Sequence, residues 1–153
     1  MRIVVQVVKE AKVEVDGQII SQIGKGFLLF VGFTKGDQHD IIETMVKKVL
    51  SLRIFMDENG HTNLSLDDVN GEILSVSQFT LYADVAKGRR PSFVRALPPQ
   101  EASILYDDWL KTLRAERPLA ESGIFGADMK VSLVNDGPFT LLLDSDEIVR
   151  KNR

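Results

Sequence analysis

The first third of the chain has a pattern of apolar and polar residues that predicts β-strands. Residues 3–8 are rich in β-branched side chains, and apolar and charged residues alternate over residues 12–16. The dipeptide Asp16-Gly17, which is typical of tight hairpins, then precedes a returning strand over residues 18–23. Residues 27–33 are apolar at almost every position, which predicts a central strand covered on both faces.

A helical spacing replaces this pattern in two places. Over residues 37–50, apolar residues recur at intervals of three and four, which predicts an amphipathic helix with Asp37 or Asp40 as its N-cap. The dipeptide Pro98-Pro99 predicts the start of a second helix, because proline is tolerated in the first helical turn, and Pro118 lies just past its predicted end. The sequence therefore predicts two main helices.

Three further strands are predicted over residues 72–82, 129–134 and 139–143. The Asp-Gly dipeptide between the last two is typical of a hairpin turn, and a proline is permitted where a strand begins. Long strands with two helices between them predict an α+β fold with a mainly antiparallel, barrel-like sheet. We expect residues 1–153 to form a single domain, because no repeat, low-complexity tract or linker interrupts them.

The absence of cysteine narrows the chemistry, because it excludes disulfides, thiolate zinc sites and a cysteine nucleophile. The two histidines, His39 and His61, lie in polar, turn-like surroundings, and we expect both at the surface. Most hydrolases use a histidine base or a metal, and this chain is poorly supplied with either. We therefore expect no metal and no cofactor.

The charge and the hydropathy of the chain bear on its partners. A net charge of −3 neither requires nor excludes a nucleic acid, because an acidic protein can bind RNA through a local basic patch. No apolar run reaches the roughly 18 residues that suggest a spanning helix, and the first apolar run is too short for a signal peptide. We expect a cytoplasmic protein with no membrane partner.

Residues 73–81 form the first segment that suggests a functional site. Alternation along a strand would place Leu74 and Val76 on the same face as Gln78 and Thr80, so that this face becomes polar towards its end. A buried Gln or Thr without hydrogen-bond partners costs about 1–3 kcal/mol. The polar end therefore either reaches solvent at a sheet edge or lines a pocket whose ligand supplies the partners.

A cationic segment follows this predicted strand and contains Lys87, Arg89 and Arg90. Gly88 and Pro91 interrupt the segment, which predicts a loop. Such a loop either contacts the phosphates of a nucleic acid or is an ordinary solvated surface loop.

Two motifs then suggest a family. Ser77-Gln78-Phe79-Thr80 and, 55 residues further on, Asn135-Asp136-Gly137-Pro138-Phe139-Thr140 resemble the paired signature motifs of the D-aminoacyl-tRNA deacylase family. Several other stretches resemble the family in the same order: Val5-Gln6, residues 24–32, Arg90-Pro91-Ser92-Phe93 and Ala127-Asp128-Met129. The resemblance implies that family's fold and a homodimer that hydrolyses the carboxylic ester bond of D-aminoacyl-tRNA, with the active site at the subunit interface.

The resemblance also implies roles for individual residues. The implied catalytic residues, which would hold the 3′-terminal adenosine and the ester, are those of the first motif: Ser77, Gln78, Phe79 and Thr80. The implied substrate-binding residues lie in or near the second motif: Phe125, Met129, Asn135, Gly137 and Pro138. The implied RNA-binding residues are the cations of the predicted loop: Lys87, Arg89 and Arg90.

The family resemblance further implies how chirality would be checked. Gly137 and Pro138, joined by a cis peptide bond and inserted into the partner subunit's pocket, would present their backbone carbonyls to the α-carbon of the substrate. Enantiomers are equally hydrophobic, so a rigid carbonyl pair placed where an L side chain projects would reject it by steric clash. Glycine has no side chain to reject, so a glycyl-tRNA would also be hydrolysed.

Two mechanisms remain open. The preferred one is hydrolysis assisted by the 2′-hydroxyl of the tRNA, with the ester carbonyl polarised by backbone N–H groups near Phe79 and Thr80. The other makes Thr80 a covalent nucleophile, which requires an activating base. Two alternative functions also remain: a dimer that binds tRNA ends without catalysis, and a deacylase of relaxed specificity with a trans Gly137-Pro138 bond. We expect tRNA, and not DNA, as the nucleic-acid partner.

The chain departs from the family pattern at two positions. Members commonly carry an arginine directly after the N-terminal glutamine, where this chain has Val7. If that arginine braces the Gly-Pro loop, the brace here must come from elsewhere. The second departure is Phe139, where valine is usual, and it exchanges one apolar residue for another.

Overall fold

The first strand, β1, organises the sheet because it is long enough to pair with three others. A computed structural model describes residues 1–151. In it β1 spans Arg2–Val15 and passes through the Asp16-Gly17 turn, where both residues have positive φ (51° and 75°), into β2 (Gln18–Ile23). The second half of β1 pairs with β2 and its first half with β3 (Gly26–Gly32), both antiparallel. The predicted hairpin and the buried central strand are confirmed.

The rest of the sheet is built on both edges of this group. On one side β3 pairs in parallel with β6 (Glu72–Ser77), which pairs in parallel with the short β7 (Glu121–Ser122). On the other side β1 pairs antiparallel with β8 (Lys130–Asp144) along almost its whole length. Strand β2 also contacts β6 and β7, so the sheet curls until it is nearly closed. The predicted α+β fold with a mainly antiparallel, barrel-like sheet is confirmed.

Within residues 1–151, three helices accompany the sheet. Helix α1 spans His39–Ser51 and helix α2 spans Pro99–Glu116, so the predicted start at the proline pair is confirmed. A short third helix, α3 (Ser145–Lys151), follows β8 where no helix was predicted. A separate hairpin, β4 (Arg53–Met56) and β5 (Thr62–Ser65), links α1 to β6. No helix within residues 1–151 is both long and apolar enough to span a bilayer.

Two apolar cores stabilise this arrangement. The larger core lies between the sheet and the two main helices and includes Phe27, Met45 and the fully buried Trp109. The smaller core fills the inside of the curved sheet around Val8 and Leu28. Because β3 contributes side chains to both cores, it is apolar on both faces.

Three local predictions are wrong. The cap of α1 is Gln38, and Asp37 instead accepts a hydrogen bond from the backbone of Thr34 at 2.8 Å. The predicted strand over residues 72–82 ends at Ser77, and the chain then leaves the sheet. The predicted hairpin at residues 135–138 does not exist, because the chain does not reverse there: both flanking segments belong to β8 and run antiparallel to the same strand.

Candidate active site

The residues that follow β6 turn sharply across the end of β3. The backbone N–H of Gln78 donates to the carbonyl of Val31 at 2.8 Å, and Phe79–Tyr82 form a single 3₁₀ turn, called the 79–82 turn below. This turn approaches β3 so closely that a Cβ atom on Gly32 would lie 2.7 Å from the carbonyl oxygen of Gln78. Gly32 therefore provides the space in which the first motif leaves the sheet.

The 79–82 turn presents polar groups at its start. The first N–H groups of a helical turn have no partner within that turn. Within residues 1–151 neither Phe79 nor Thr80 donates a backbone hydrogen bond. The side-chain amide of Gln78 donates to the hydroxyl oxygen of Thr80 at 2.6 Å. Two free N–H groups and one oriented hydroxyl therefore lie together, and such a set of donors can polarise a carbonyl.

A cavity of about 740 Å³ adjoins this turn. Its walls come from the ends of β3 and β6, from the segment before α2 and from the residues that lead into β8. Five of the predicted site residues line it: Ser77, Gln78, Phe79, Phe125 and Met129. Thr80 is exposed and lies next to the lining residue Phe79 without being part of the wall.

The cavity has aromatic walls on two sides. Phe79, which is 53% exposed, meets Phe93 edge to face with ring centroids 5.1 Å apart. Phe125, which also lines the cavity, packs against the ring of Tyr106 with centroids 6.0 Å apart. Exposed aromatic rings around an apolar cavity provide a surface on which a flat heterocycle can stack.

A buried polar network supports one wall of the cavity, and it was not predicted from the sequence. The hydroxyl of Tyr106 donates to the carbonyl of Ser75 at 3.1 Å and lies 2.9 Å from the hydroxyl of Ser122. The indole N–H of Trp109 donates to the Ser75 hydroxyl at 3.1 Å. Burial raises the pKa of Tyr106, which therefore remains a neutral donor. The available signal was a serine inside the otherwise apolar centre of β6.

The second motif forms an excursion from β8. Gln6 is opposite Thr140 and Val8 is opposite Asn135. An advance of two residues along β1 therefore corresponds to five residues along β8, so β8 contains extra residues at this point. The residues between, 136–139, leave the ladder, and Gly137 and Pro138 at its centre are exposed. The Gly137-Pro138 bond is cis, the isomer that the resemblance implies, and not the trans isomer of the alternative. Neither residue lines the cavity of its own chain.

The excursion is held by Asn135 and by Gln6, a residue that was not among the predicted site residues. Asn135 accepts a hydrogen bond from the backbone N–H of Phe139 at 2.7 Å and donates to Thr140 Oγ1 and to Gln6 Oε1, both at 2.9 Å. Val7, which replaces the family's usual arginine, is 6% exposed and packs in the larger core. The side-chain hydrogen bonds at the base of the excursion therefore come from Gln6 and Asn135.

The predicted basic segment is a loop closed at its base. Asp84 and Ser92 exchange two backbone hydrogen bonds of 2.8 Å, and the residues between them form the basic loop. Its three cations are exposed, and none forms a salt bridge with a described residue: Lys87, Arg89 and Arg90. None of the three lines the cavity, so the structure places the basic loop outside it.

Both histidines are exposed, as predicted, and neither lines the cavity. His39 on α1 contacts the carboxylate of Asp108 on α2 at 2.8 Å, and this hydrogen bond raises the pKa of His39. Within the part of the chain that the structure describes, no group of three or more His, Asp or Glu side chains is arranged to hold a metal ion.

Solved structures of other proteins share this fold. A structure titled "c-Myc DNA Unwinding Element Binding Protein" is 44% identical to this chain with a TM-score of 0.89, over 94% of this chain and 98% of the other. A second, titled as a probable eukaryotic D-amino acid tRNA deacylase, is 20% identical with a TM-score of 0.82 over the same shares of the two chains. At that identity the second match shows the fold alone.

The sequence comparisons then give the family. The chain belongs to the D-Tyr-tRNA(Tyr) deacylase family, whose model matches residues 4–144. A D-aminoacyl-tRNA deacylase of Lactobacillus acidophilus is 56% identical over 144 residues, which are 94% of this chain and 99% of that protein. One of Thermomicrobium roseum is 56% identical over 148 residues, which are 97% of this chain and 96% of that protein. The family predicted from the two motifs is confirmed.

Proposed function

We propose that this chain hydrolyses the ester bond of D-aminoacyl-tRNA and releases the D-amino acid and the tRNA, as its family membership indicates. The observation that carries the proposal is the position of the first family motif, whose free N–H groups lie beside an apolar cavity. In this arrangement the 3′-terminal adenosine occupies the cavity and the ester carbonyl lies over the 79–82 turn. Because the substrate is aminoacyl-tRNA, we place the reaction in the cytoplasm.

The adenosine fits the character of the cavity. A volume of about 740 Å³ lies within the range of about 300–1,000 Å³ that is usual for small-ligand pockets. Phe79 and Phe125 in the cavity wall offer stacking surfaces, which are worth about 1–3 kcal/mol per base in nucleic-acid complexes. The cavity thereby anchors the end of the tRNA, and this leaves the amino acid outside its apolar interior.

Catalysis assisted by the substrate agrees with the contacts of Thr80. Its hydroxyl oxygen accepts a hydrogen bond from Gln78, and no carboxylate or imidazole among the described residues contacts it. A covalent nucleophile would need such a base. The N–H groups of Phe79 and Thr80 instead polarise the ester carbonyl, while the 2′-hydroxyl of the terminal ribose helps to activate water.

A homodimer would bring the two motifs together. Gly137 and Pro138 do not line the cavity of their own chain, so a complete site needs them from a second copy. Strand β8 pairs only with β1 among the described strands, and an open strand edge favours pairing with another chain. Val134 and Leu142 on β8 are 44% and 61% exposed, and such apolar side chains suit a subunit interface.

Mixing two variants tests the shared site. One variant carries Phe79→Ala, and the other carries alanine at both Gly137 and Pro138. The double variant should hydrolyse L-tyrosyl-tRNA, because its cavity is native and its Gly137-Pro138 carbonyls are disturbed, whereas Phe79→Ala should hydrolyse it slowly. In a mixed dimer the native cavity of one chain meets the native Gly137-Pro138 of the other, so mixing should lower hydrolysis of L-tyrosyl-tRNA below the sum of the two separate proteins. A site contained within one chain predicts no change on mixing, and that result would refute the shared site.

Chirality would be read by the carbonyl groups of Gly137 and Pro138. A fixed pair of carbonyls at the α-carbon excludes an L side chain sterically and accepts a D side chain or the hydrogen of glycine. We therefore propose D-aminoacyl-tRNA and glycyl-tRNA as substrates. The exposed basic loop would contact the tRNA backbone, because its cations are free of salt bridges within the described residues.

The decisive experiment compares deacylation of D-tyrosyl-tRNA, L-tyrosyl-tRNA and glycyl-tRNA. We expect rapid loss of the D-tyrosyl and glycyl esters only. Hydrolysis of both tyrosyl esters would support the deacylase activity but indicate a relaxed specificity for the amino acid. Binding of tRNA without hydrolysis of any ester would favour the non-catalytic tRNA-end-binding dimer.

A Thr80→Ala variant separates the two mechanisms. Assistance by the 2′-hydroxyl predicts that this variant keeps measurable turnover, because the backbone N–H groups remain. Abolished turnover with intact tRNA binding would instead support the covalent mechanism.

A further inference from the structure

The excursion at residues 136–139 needs external support to keep one shape. It lies on a strand with an open edge, and Asp136, Gly137 and Pro138 are all exposed. Few contacts therefore restrict it, and a segment with few buried contacts opens locally at low free-energy cost. The hydrogen bonds at its base must define its orientation.

Those hydrogen bonds converge on one side chain. The amide of Asn135 accepts from the N–H of Phe139 (2.7 Å) through its oxygen and donates to Thr140 Oγ1 (2.9 Å) through its nitrogen. Asn135 thus spans the base of the excursion, joining the residue at its start to the residues at its end. Its two amide atoms have opposite hydrogen-bonding character, so a rotation by 180° would lose the bond to Phe139.

Gln6 supplies a second contact that holds the amide in this orientation. Its Oε1 atom, on the neighbouring strand and opposite Thr140, accepts from Asn135 Nδ2 at 2.9 Å. The Thr140 hydroxyl can either donate or accept and so does not discriminate between the two orientations. The N–H of Phe139 only donates and the Oε1 atom of Gln6 only accepts, so these two contacts together hold the Asn135 nitrogen towards β1 and its oxygen towards Phe139.

We propose that Gln6 is a positioning residue for chiral discrimination: it fixes Asn135, which fixes the Gly137-Pro138 carbonyls. This inference rests on the proposed function, in which the Gly137-Pro138 carbonyls exclude an L side chain. Among the described side chains of β1, Gln6 is the one that forms a hydrogen bond with Asn135, and its neighbour Val7 packs into the core. Gln6 does not line the cavity, so its loss should change selectivity more than the rate with D-aminoacyl-tRNA.

The test uses two substitutions of similar size. Gln6→Met keeps the length of the side chain and removes the acceptor, whereas Gln6→Glu keeps an oxygen that can accept from Asn135. The ratio of deacylation rates for D- and L-tyrosyl-tRNA should fall about threefold to tenfold in Gln6→Met, the factor that corresponds to one net hydrogen bond. Gln6→Glu should keep a ratio close to that of the native protein.

A control separates positioning from general stability. Thr112→Val removes a side-chain hydrogen bond of 2.8 Å to the carbonyl of Asp108 on α2, away from both motifs. It should lower the melting temperature without changing the ratio. An unchanged ratio in Gln6→Met, or an equal fall in Gln6→Glu, would overturn the inference. A native protein that hydrolyses both esters alike would instead refute the exclusion of L side chains by the Gly137-Pro138 carbonyls, and the inference with it.

A second readout does not depend on catalysis. The backbone N–H of Phe139 donates to Asn135, and the N–H of Gly123 donates to Ser75 at 2.9 Å in a distant part of the sheet. In Gln6→Met, hydrogen exchange measured by NMR should become faster at Phe139 and stay unchanged at Gly123. Equal acceleration at both sites would mean that Gln6 is merely structural.

Discussion

The substitution Gly32→Ala should disable the active site while leaving the fold in place. Its Cβ atom would lie 2.7 Å from the carbonyl oxygen of Gln78 and 3.2 Å from the Cβ atom of Leu81. Ordinary contact begins at 3.4 Å, so the 79–82 turn must move away by about 0.7 Å. That movement stretches the 2.8 Å hydrogen bond between Gln78 and Val31 beyond the usual range of about 2.7–3.2 Å.

The magnitude follows from these displacements. Overpacking of this kind costs about 1–3 kcal/mol, and loss of one hydrogen bond costs about 0.5–1.5 kcal/mol. Both are small enough for the protein to remain folded at low temperature, given a typical domain stability of about 5–15 kcal/mol. A misplacement of about 1 Å in an active site can lower the rate on the order of a hundredfold, so we expect kcat/KM to fall about 10- to 100-fold.

Single-turnover deacylation of D-tyrosyl-tRNA measures this effect, with Gly24→Ala as the matched control. At Gly24 the nearest atom to a new Cβ is the carboxylate oxygen of Glu72, 3.3 Å away at the end of a flexible side chain. Gly24→Ala should therefore be nearly neutral. If Gly32→Ala, checked as folded by circular dichroism, matches the rate of Gly24→Ala, the 79–82 turn is not the catalytic element.

Three further predictions concern the rest of the molecule. Replacing all three cations of the basic loop with alanine should weaken tRNA binding. The slope of log K against log salt concentration should decrease in magnitude by about 0.7–0.9 for each phosphate that is no longer neutralised. An unchanged slope in a salt titration would show that the loop does not contact the RNA. Tyr106→Phe should cost about 1–3 kcal/mol in thermal unfolding and raise the KM for tRNA, because its ring supports Phe125 in the cavity wall; a change in kcat alone would contradict this. The pKa of His39 is raised by its hydrogen bond to Asp108, so its contribution to stability is present below a pH of about 6.5 and is lost as the pH rises through the raised pKa. His39→Gln should reduce the fall in melting temperature as the pH rises above about 6.5, and an identical pH profile in the variant would refute the contribution of His39 to stability.

The elements that depend on local patterns could be predicted from the amino-acid sequence. The Asp16-Gly17 hairpin, the apolar β3 strand and the start of α2 at Pro99 all occur where they were predicted. Each rests on short-range physics, because a turn dipeptide, a continuous apolar run or a proline pair restricts the backbone over a few residues. The two motifs likewise indicate the family from the sequence alone.

The shapes that those motifs adopt depend on packing between distant segments. From the sequence, the Asp-Gly dipeptide in Asn135-Asp136-Gly137-Pro138 predicts a hairpin, but β1 is long enough to pair with both flanking segments, and the motif becomes an excursion. The strand predicted over residues 72–82 ends before Gln78, where Gly32, far away in the sequence, leaves room for a turn over β3. Gln6 holds Asn135 across the ladder between β1 and β8. These features depend on strand register and on close approach between distant segments, and local residue patterns do not encode either.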